Sequence, residues 1–345
     1  MLKKRINCYA AAAAVFTVVF LAWIFIVQES LAVTRARFRQ MTGLERLEYY
    51  NKNSNDTDEK LGEFLRIPLP LNYKEDEVVA DVEAVDRIIS IYIPDVSENF
   101  IYENPIMGSS QGIEAMDAAA FGRGLRVEIQ TTELKEPSLT FENGNMYVSF
   151  KSPRELYKRI VVVDPGHGGE DTGMEMGENK ESELNLQIAK YLRDLLEDKD
   201  IRVYMTRSSE VATSLEQRVG LANELDADAF ISVHCNAEKD DKDVQHGTLV
   251  MYNAQDTSGS SLRLAELCMD GVTKAFGSKR LLCQKGDDIY IVKNSKVPVA
   301  LVEVGFMTNA DELAKLIDPE NQRNAAAGIL DGVMKAYEKG IIGDD

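Results

Sequence analysis

The residues best suited to chemistry are two histidines that follow apolar runs typical of buried strands. His167 stands in the glycine-rich turn Asp164-Pro-Gly-His-Gly-Gly169 after one run, and His234 ends another run, Ala229–His234. The chain has only three histidines, and neutral imidazole is a favoured zinc donor. Taken singly, His167 fits an ordinary loop residue and His234 a hydrogen-bonded core residue. Taken together, they predict a pair of metal ligands.

A carboxylate is needed to complete such a site. A catalytic zinc ion typically takes three protein ligands and keeps one position open, and two histidines with one glutamate form an established set. Glu181 and Glu183 both lie at the start of the helix predicted after the glycine-rich turn. Acidic residues are also favoured there by the helix dipole without any function. The residue types alone therefore leave the choice between these two glutamates open.

Glu303 is a carboxylate placed inside an apolar run, Val299-Ala-Leu-Val-Glu-Val-Gly-Phe306. Burial of an ionised carboxylate without a partner costs at least several kcal/mol. Its position is explained either by a salt bridge to a basic side chain or by a metal centre or proton transfer that needs it. We interpret Glu303 as a functional residue.

These residues are predicted to meet at one edge of a sheet. From residue 153 onward, apolar strands alternate with amphipathic helices, which predicts an α/β fold with a mostly parallel sheet flanked by helices on both faces. Ligands of such sheets bind beyond the carboxyl ends of the strands, where both histidines lie. The predicted strands are Arg159–Asp164, Val203–Thr206, Ala229–His234, Gly247–Tyr252 and Val299–Val304, and the predicted helices are Leu184–Leu196, Leu215–Leu225, Leu262–Phe276 and Asn324–Glu338.

The chain begins with three basic residues, Lys3 to Arg5, and an apolar run from Tyr9 to Val27. A helix needs about 20 apolar residues to cross a bilayer, and the run is longer than the apolar core of about 7 to 15 residues in a signal peptide. Residues 1–31 are therefore predicted to be a single membrane anchor that holds the rest of the chain outside the cytoplasm. Signal cleavage near Ser30-Leu-Ala32, followed by secretion, is the alternative.

Two further regions separate this segment from the α/β region. Residues 32–67 are polar and charged, and they predict a stalk and linker. Residues 68–152 predict a small β-rich domain, because β-branched residues partly alternate with polar ones and Glu142-Asn-Gly-Asn145 is typical of a hairpin turn. Residues 153–345 are then the predicted catalytic domain.

Composition excludes some classes of function. The net charge of −18 argues against nucleic-acid binding, which needs clustered Lys and Arg.

One of the four cysteines lies in the predicted membrane segment, and the other three, Cys235, Cys268 and Cys283, are an odd set without close spacing in the sequence. They predict free buried thiols rather than a disulfide scaffold. The third histidine, His246, is interpreted as a surface residue.

Six motifs follow one another within residues 159–337. They are Asp164-Pro-Gly-His-Gly-Gly169, Glu181-Ser-Glu-Leu-Asn-Leu186, Thr206-Arg207, Arg218 with Ala222-Asn223, Ser232-Val-His-Cys-Asn236 and Pro298-Val-Ala-Leu-Val-Glu-Val-Gly-Phe306. Together they resemble the catalytic domain of the zinc-dependent N-acetylmuramoyl-L-alanine amidases. The resemblance implies that His167, Glu181 and His234 bind one zinc ion and that Glu303 is the catalytic carboxylate. It also selects Glu181, because the family's ligand glutamate stands five residues before the leucine that matches Leu186.

The resemblance further implies an activity and a partner. The expected reaction is zinc-dependent hydrolysis of the amide bond between N-acetylmuramic acid and L-alanine in peptidoglycan. Two alternatives remain, an inactive protein that binds or regulates at the cell wall and a zinc hydrolase of another cell-wall amide. Ser182 and Cys235 depart from residues common in the family, Lys and a small residue such as Ala, but neither departure removes a ligand. The motifs do not identify what activates the enzyme.

Overall fold

The computed structural model describes residues 40–238 and 245–343. The predicted membrane segment, 1–31, lies outside these residues, and no helix within them is long and apolar enough to cross a bilayer. The described chain forms two compact units. The first unit takes its described residues from Met1–Asp81, Ile89–Glu133 and Pro137–Phe150, and the second takes them from Val82–Ile88, Leu134–Glu136 and Lys151–Asp345.

The chain before residue 153 is rich in strands, as predicted. Its described elements are α1 (Gly43–Asn53), β1 (Leu65–Pro68), β2 (Val79–Glu83), β3 (Ile88–Ile93), α2 (Glu98–Glu103), β4 (Met107–Gly108), β5 (Ile113–Phe121), β6 (Gly124–Thr131), β7 (Glu136–Glu142) and β8 (Asn145–Lys151). These strands form two four-stranded sheets, with strand orders β4-β1-β8-β7 and β2-β3-β6-β5.

Local sequence explains two of these features. In β3 every second residue is fully buried, namely Ile89, Ile91 and Ile93, as expected of a strand with one face on a core. The turn between β7 and β8 places both Asn143 (φ 52°) and Gly144 (φ 72°) in the left-handed region. Two such residues are what a tight two-residue hairpin requires, so the predicted hairpin is present.

The segment predicted as a stalk and linker, 32–67, carries regular structure in its described part. Helix α1 begins at a capping box between Thr42 and Glu45, and its Leu47 is 1% exposed. Strand β1 lies inside a sheet, between β4 and β8. The few apolar residues of this polar segment are buried by partners distant in sequence, which local composition does not reveal.

The second unit is a mixed α/β fold, as predicted. Its described elements are α3 (Pro153–Leu156), β9 (Ile160–Pro165), β10 (Glu175–Met176), β11 (Asn179–Lys180), α4 (Glu181–Glu197), β12 (Arg202–Met205), α5 (Leu215–Glu224), β13 (Ala229–Asn236), β14 (Thr248–Tyr252), α6 (Ser260–Val272), β15 (Arg280–Lys285), α7 (Tyr290–Asn294), β16 (Val299–Phe306), α8 (Ala310–Leu316) and α9 (Pro319–Glu338). The central sheet has six strands in the order β12-β9-β13-β16-β14-β15.

The sheet is parallel across the four strands that matter for the site. Strands β12, β9, β13 and β16 pair in parallel, whereas β14 runs antiparallel to β16 and pairs in parallel with β15. Helices α4, α6 and α9 cover one face of the sheet, and α5 and α7 pack on the other. The sequence prediction missed β15, which lies at an edge and is largely exposed, so it lacks a continuous apolar run.

Two short segments from earlier in the chain complete the second unit. Ala84 and Leu134 join the buried cluster on the α5 face. The Glu136 carboxylate accepts hydrogen bonds from Arg202 and from Tyr204. The sequence placed both segments in the β-rich domain, because nothing local marks them as part of the α/β core.

Candidate metal centre and active site

Three of the four predicted site residues lie together. His167 follows β9 in the turn, Glu181 is the first residue of α4, and His234 lies near the end of β13. Strands β9 and β13 are parallel neighbours with Pro165 opposite Val233, so their carboxyl ends bring the two histidines to one edge. The donor atoms of His167, Glu181 and His234 all lie within 4.8 Å of one another and could hold a metal ion.

Glu181 is the centre of this group. Its Oε1 lies 3.1 Å from His167 Nε2 and 3.0 Å from His234 Nδ1, and its Oε2 accepts a hydrogen bond from the Met174 N–H at 3.0 Å. Burial opposes ionisation, but the hydrogen bonds from the two histidines outweigh it and hold the pKa of Glu181 well below its usual range. The carboxylate is therefore an anionic donor at neutral pH. Glu183, by contrast, is exposed and pairs with Lys180.

Two glycines leave room for the donors. A Cβ added to Gly166 would lie 2.1 Å from the His234 ring. A Cβ added to Gly173, where φ is +65°, would lie 2.5 Å from Glu181 Oε2. No side chain fits at either distance, so the turn needs glycine at both positions.

A buried network of hydrogen bonds around Asp164 holds the turn that carries His167. Asp164 accepts hydrogen bonds from Thr206 Oγ1 at 2.6 Å, from Ser232 Oγ at 2.7 Å and from Arg218 Nη1 at 2.7 Å. Arg218 also donates to the His167 carbonyl at 2.6 Å. Burial opposes ionisation of Asp164, yet the Arg218 guanidinium and the two hydroxyls keep its pKa below the usual value. These residues belong to the motifs found in the sequence, but no role was predicted for them from the sequence.

Replacement of Asp164 by asparagine should destabilise the fold strongly. The change leaves the Arg218 guanidinium buried without its counter-charge, and loss of one partner of a buried pair costs about 3–5 kcal/mol. The free energy of unfolding of the metal-free chain in urea measures this cost. Because folding lowers the pKa of Asp164, the ionised carboxylate stabilises the folded chain above about pH 4, and this stabilisation is lost on acidification. The difference in unfolding free energy between the parent and the variant should therefore shrink at acidic pH. Asp287→Asn, at an exposed position, is the control, and an equal effect of the two variants would contradict the role of the network.

Glu303 lies directly beside the three donors. It is the neighbour of His234 across the β13–β16 pair. Its Oε2 is buried and has no hydrogen-bond partner among the described residues, and none of the salt bridges found there includes it. Burial raises the pKa of Glu303 to about 7, with a further increase from the Glu181 charge and opposition from His234 and His167. A carboxyl with such a pKa is suited to proton transfer near neutral pH.

The remaining sequence predictions concern the cysteines and the third histidine. Cys235 and Cys268 are buried free thiols, and Cys283 is a half-buried one. Burial raises the pKa of the Cys235 thiol far above its usual value, so it stays protonated. His246 is exposed, as predicted.

Known proteins share this domain. A family model described as N-acetylmuramoyl-L-alanine amidase matches residues 161–335, about half of the chain. The N-acetylmuramoyl-L-alanine amidase LytC of Bacillus subtilis is 30% identical over 250 residues, which are 70% of this chain and 50% of LytC. The germination-specific N-acetylmuramoyl-L-alanine amidase of B. subtilis is 30% identical over 215 residues, which are 58% of this chain and 88% of that protein. A solved N-acetylmuramoyl-L-alanine amidase from Clostridium difficile 630 is 34% identical with a TM-score of 0.50, and the match covers 52% of this chain and 97% of that one.

A mixed α/β domain with a His–Glu–His donor group at the carboxyl edge of its sheet is the architecture of a candidate metal-dependent hydrolase. The chain belongs to the N-acetylmuramoyl-L-alanine amidase family, and the match to residues 161–335 includes all four predicted site residues. The chain spans half the length of LytC and most of the germination-specific amidase.

Proposed function

We propose that this chain is a zinc-dependent amidase that hydrolyses the bond between N-acetylmuramic acid and L-alanine in peptidoglycan. One observation carries the proposal: the donors of His167, Glu181 and His234 lie within 4.8 Å of one another, next to Glu303, whose buried Oε2 has no hydrogen-bond partner in the described part of the chain. Two imidazoles and an ionised carboxylate suit zinc by donor type. Membership of the amidase family supports the choice of substrate.

The four site residues would have two roles, metal binding and proton transfer. His167, Glu181 and His234 would hold one zinc ion, which lowers the pKa of water and polarises the substrate carbonyl. Glu303, with a pKa near 7, would accept a proton from the attacking water and pass it to the departing amine of L-alanine.

Product analysis on purified sacculi tests this proposal against both alternatives. The detergent-solubilised chain is incubated with sacculi, and new amino groups, acetate and soluble peptide are measured. An amidase releases stem peptides with a free L-alanine amino group. A deacetylase would release acetate, and a protein that only binds the wall would release nothing, so either result would overturn the proposal.

Chemistry should not require the chain before Pro153. A fragment beginning there keeps all four site residues, and the C. difficile structure that aligns with this domain is almost wholly covered by it. We expect the fragment to bind zinc and digest solubilised peptidoglycan. Its thermal unfolding midpoint should fall below that of the full chain, because Ala84, Leu134 and the Glu136 acceptor are lost. A folded, zinc-loaded fragment without activity would show that the preceding chain contributes to catalysis.

We also propose that residues 1–31 hold the enzyme at the membrane with its catalytic domain outside the cytoplasm. The support is the long apolar run from Tyr9 to Val27 behind three basic residues, together with a substrate that lies outside the cytoplasm. Carbonate extraction of cell membranes and N-terminal sequencing of the mature chain test this placement. An intact N-terminus in the pellet is expected, whereas a soluble chain that begins near residue 33 would indicate cleavage and secretion.

A further inference from the structure

Asp171 contacts a metal donor without belonging to the donor group. Its Oδ2 lies 2.8 Å from His167 Nδ1, and its Oδ1 accepts a hydrogen bond from the Gly173 N–H at 3.1 Å. The backbones of Gly168 and Asp171 also bond to each other in both directions. Each oxygen of the carboxylate thus has a fixed partner, although the side chain is 70% exposed.

The two nitrogens of His167 face different groups. Nε2 faces Glu181 Oε1 at 3.1 Å within the donor group, whereas Nδ1 faces the Asp171 carboxylate. An ionised carboxylate can only accept a hydrogen bond, so Nδ1 must carry a proton. Without a metal ion, Nε2 donates to Glu181 Oε1. When a cation takes the place of that hydrogen bond, a proton retained on Nδ1 leaves the lone pair of Nε2 for the cation, which is the state a ligating histidine needs.

The same loop also reaches the second donor. Gly173, which holds Asp171 Oδ1, lies so close to Glu181 that an added Cβ would approach its Oε2 to 2.5 Å. The next residue, Met174, donates its N–H to that same oxygen. Asp171 therefore stands at the centre of a loop that contacts both His167 and Glu181.

We propose that Asp171 is a positioning residue for the metal centre: it keeps the proton of His167 on Nδ1 and orients the ring so that Nε2 is presented to the metal. This role rests on the proposed metal site, but not on which amide bond the enzyme cleaves. Measurements of metal binding alone can therefore test this role.

Asparagine at position 171 is the most informative substitution, because it keeps the shape of the side chain. If its amide NH₂ faces His167, Nδ1 must accept, and the proton moves to the nitrogen needed for the metal. The opposite orientation sets the NH₂ against the Gly173 N–H, two donors facing each other, so the first orientation is favoured. It should weaken zinc binding by about tenfold or more, since loss of such a partner typically costs 10- to 100-fold in metal affinity. Glu170→Gln, at the exposed neighbouring position, removes the same charge and is the matched control.

Zinc affinity is measured on the metal-free full chain by competition with a chromophoric chelator, for the parent, Asp171→Asn and Glu170→Gln. The thermal unfolding midpoint of each metal-free protein is measured beside it. A spectroscopic readout separates positioning from folding: in the cobalt-substituted chain, each ligating histidine with a protonated second nitrogen gives a shifted, exchangeable N–H proton signal. Asp171→Asn should lose or broaden the His167 signal, and Glu170→Gln should keep it.

A tenfold or greater loss of zinc affinity in Asp171→Asn, with an unchanged metal-free midpoint and a lost N–H signal, supports the role. Equal zinc affinity in Asp171→Asn and Glu170→Gln overturns it while the metal site itself stands. A loss of zinc affinity that keeps the N–H signal, or that accompanies a lowered metal-free midpoint, overturns the positioning role. It would show that Asp171 only stabilises the loop. A parent chain that binds no zinc overturns the metal site and this role together.

Discussion

Replacement of Glu303 by glutamine is expected to lower peptidoglycan hydrolysis by about 10²- to 10⁴-fold while zinc remains bound. The amide keeps the size of the side chain but cannot accept and return a proton near neutral pH. The buried oxygen of Glu303 has no partner among the described residues, so the substitution breaks no hydrogen bond seen there. Removal of a carboxyl whose pKa burial has raised to about 7 should leave the fold intact.

The measurement is the rate of amino-group release from sacculi, with zinc content and thermal unfolding recorded on the same samples. Glu183→Gln changes an exposed glutamate in the same domain and should keep the parent rate. Parent-like hydrolysis by Glu303→Gln would remove Glu303 from the mechanism. Loss of zinc from that variant would instead make Glu303 a ligand.

Replacement of Glu181 by glutamine should abolish stoichiometric zinc binding, and with it the hydrolysis of peptidoglycan. Glu181 supplies the only carboxylate of the donor group, and its ionised form is held by both histidines. A neutral amide is a poor zinc donor, and its NH₂ would face an imidazole nitrogen or the Met174 N–H.

The matched control for this variant is again Glu183→Gln, two residues away in the same helical turn. Zinc per chain is measured by mass spectrometry after dialysis against metal-free buffer. We expect about one zinc ion per chain in the parent and in Glu183→Gln and almost none in Glu181→Gln. The reverse pattern would show that the family resemblance selected the wrong glutamate.

The choice between those two glutamates shows how far the sequence could go. With 3.6 residues per turn, Glu181 shares a helix face with Leu184, Asn185 and Ile188, all of which are buried, whereas Glu183 falls on the opposite side. This periodicity was available in the sequence. It becomes decisive only once that face is known to pack on the sheet beside the two histidines.

The network behind the site could not be derived from local sequence. Asp164 meets Thr206, Arg218 and Ser232 across separations of 42, 54 and 68 residues. Each of these residues is common in loops and at helix ends, so its type alone indicates no role. Only the arrangement of β9, β12, β13 and α5 brings them to one buried carboxylate.

The sequence by itself determined the class of fold, the strand ends where chemistry occurs and the residues that could perform it. Those properties follow from local apolar periodicity and from residue types that are costly to bury without purpose. Tertiary structure decided that β14 and β15 run opposite to the other four strands of their sheet, that part of the segment before residue 68 is folded, and that Asp171 faces His167. Contacts between residues far apart in sequence, or between polar residues in a loop, leave no periodic pattern, so folding alone specifies them.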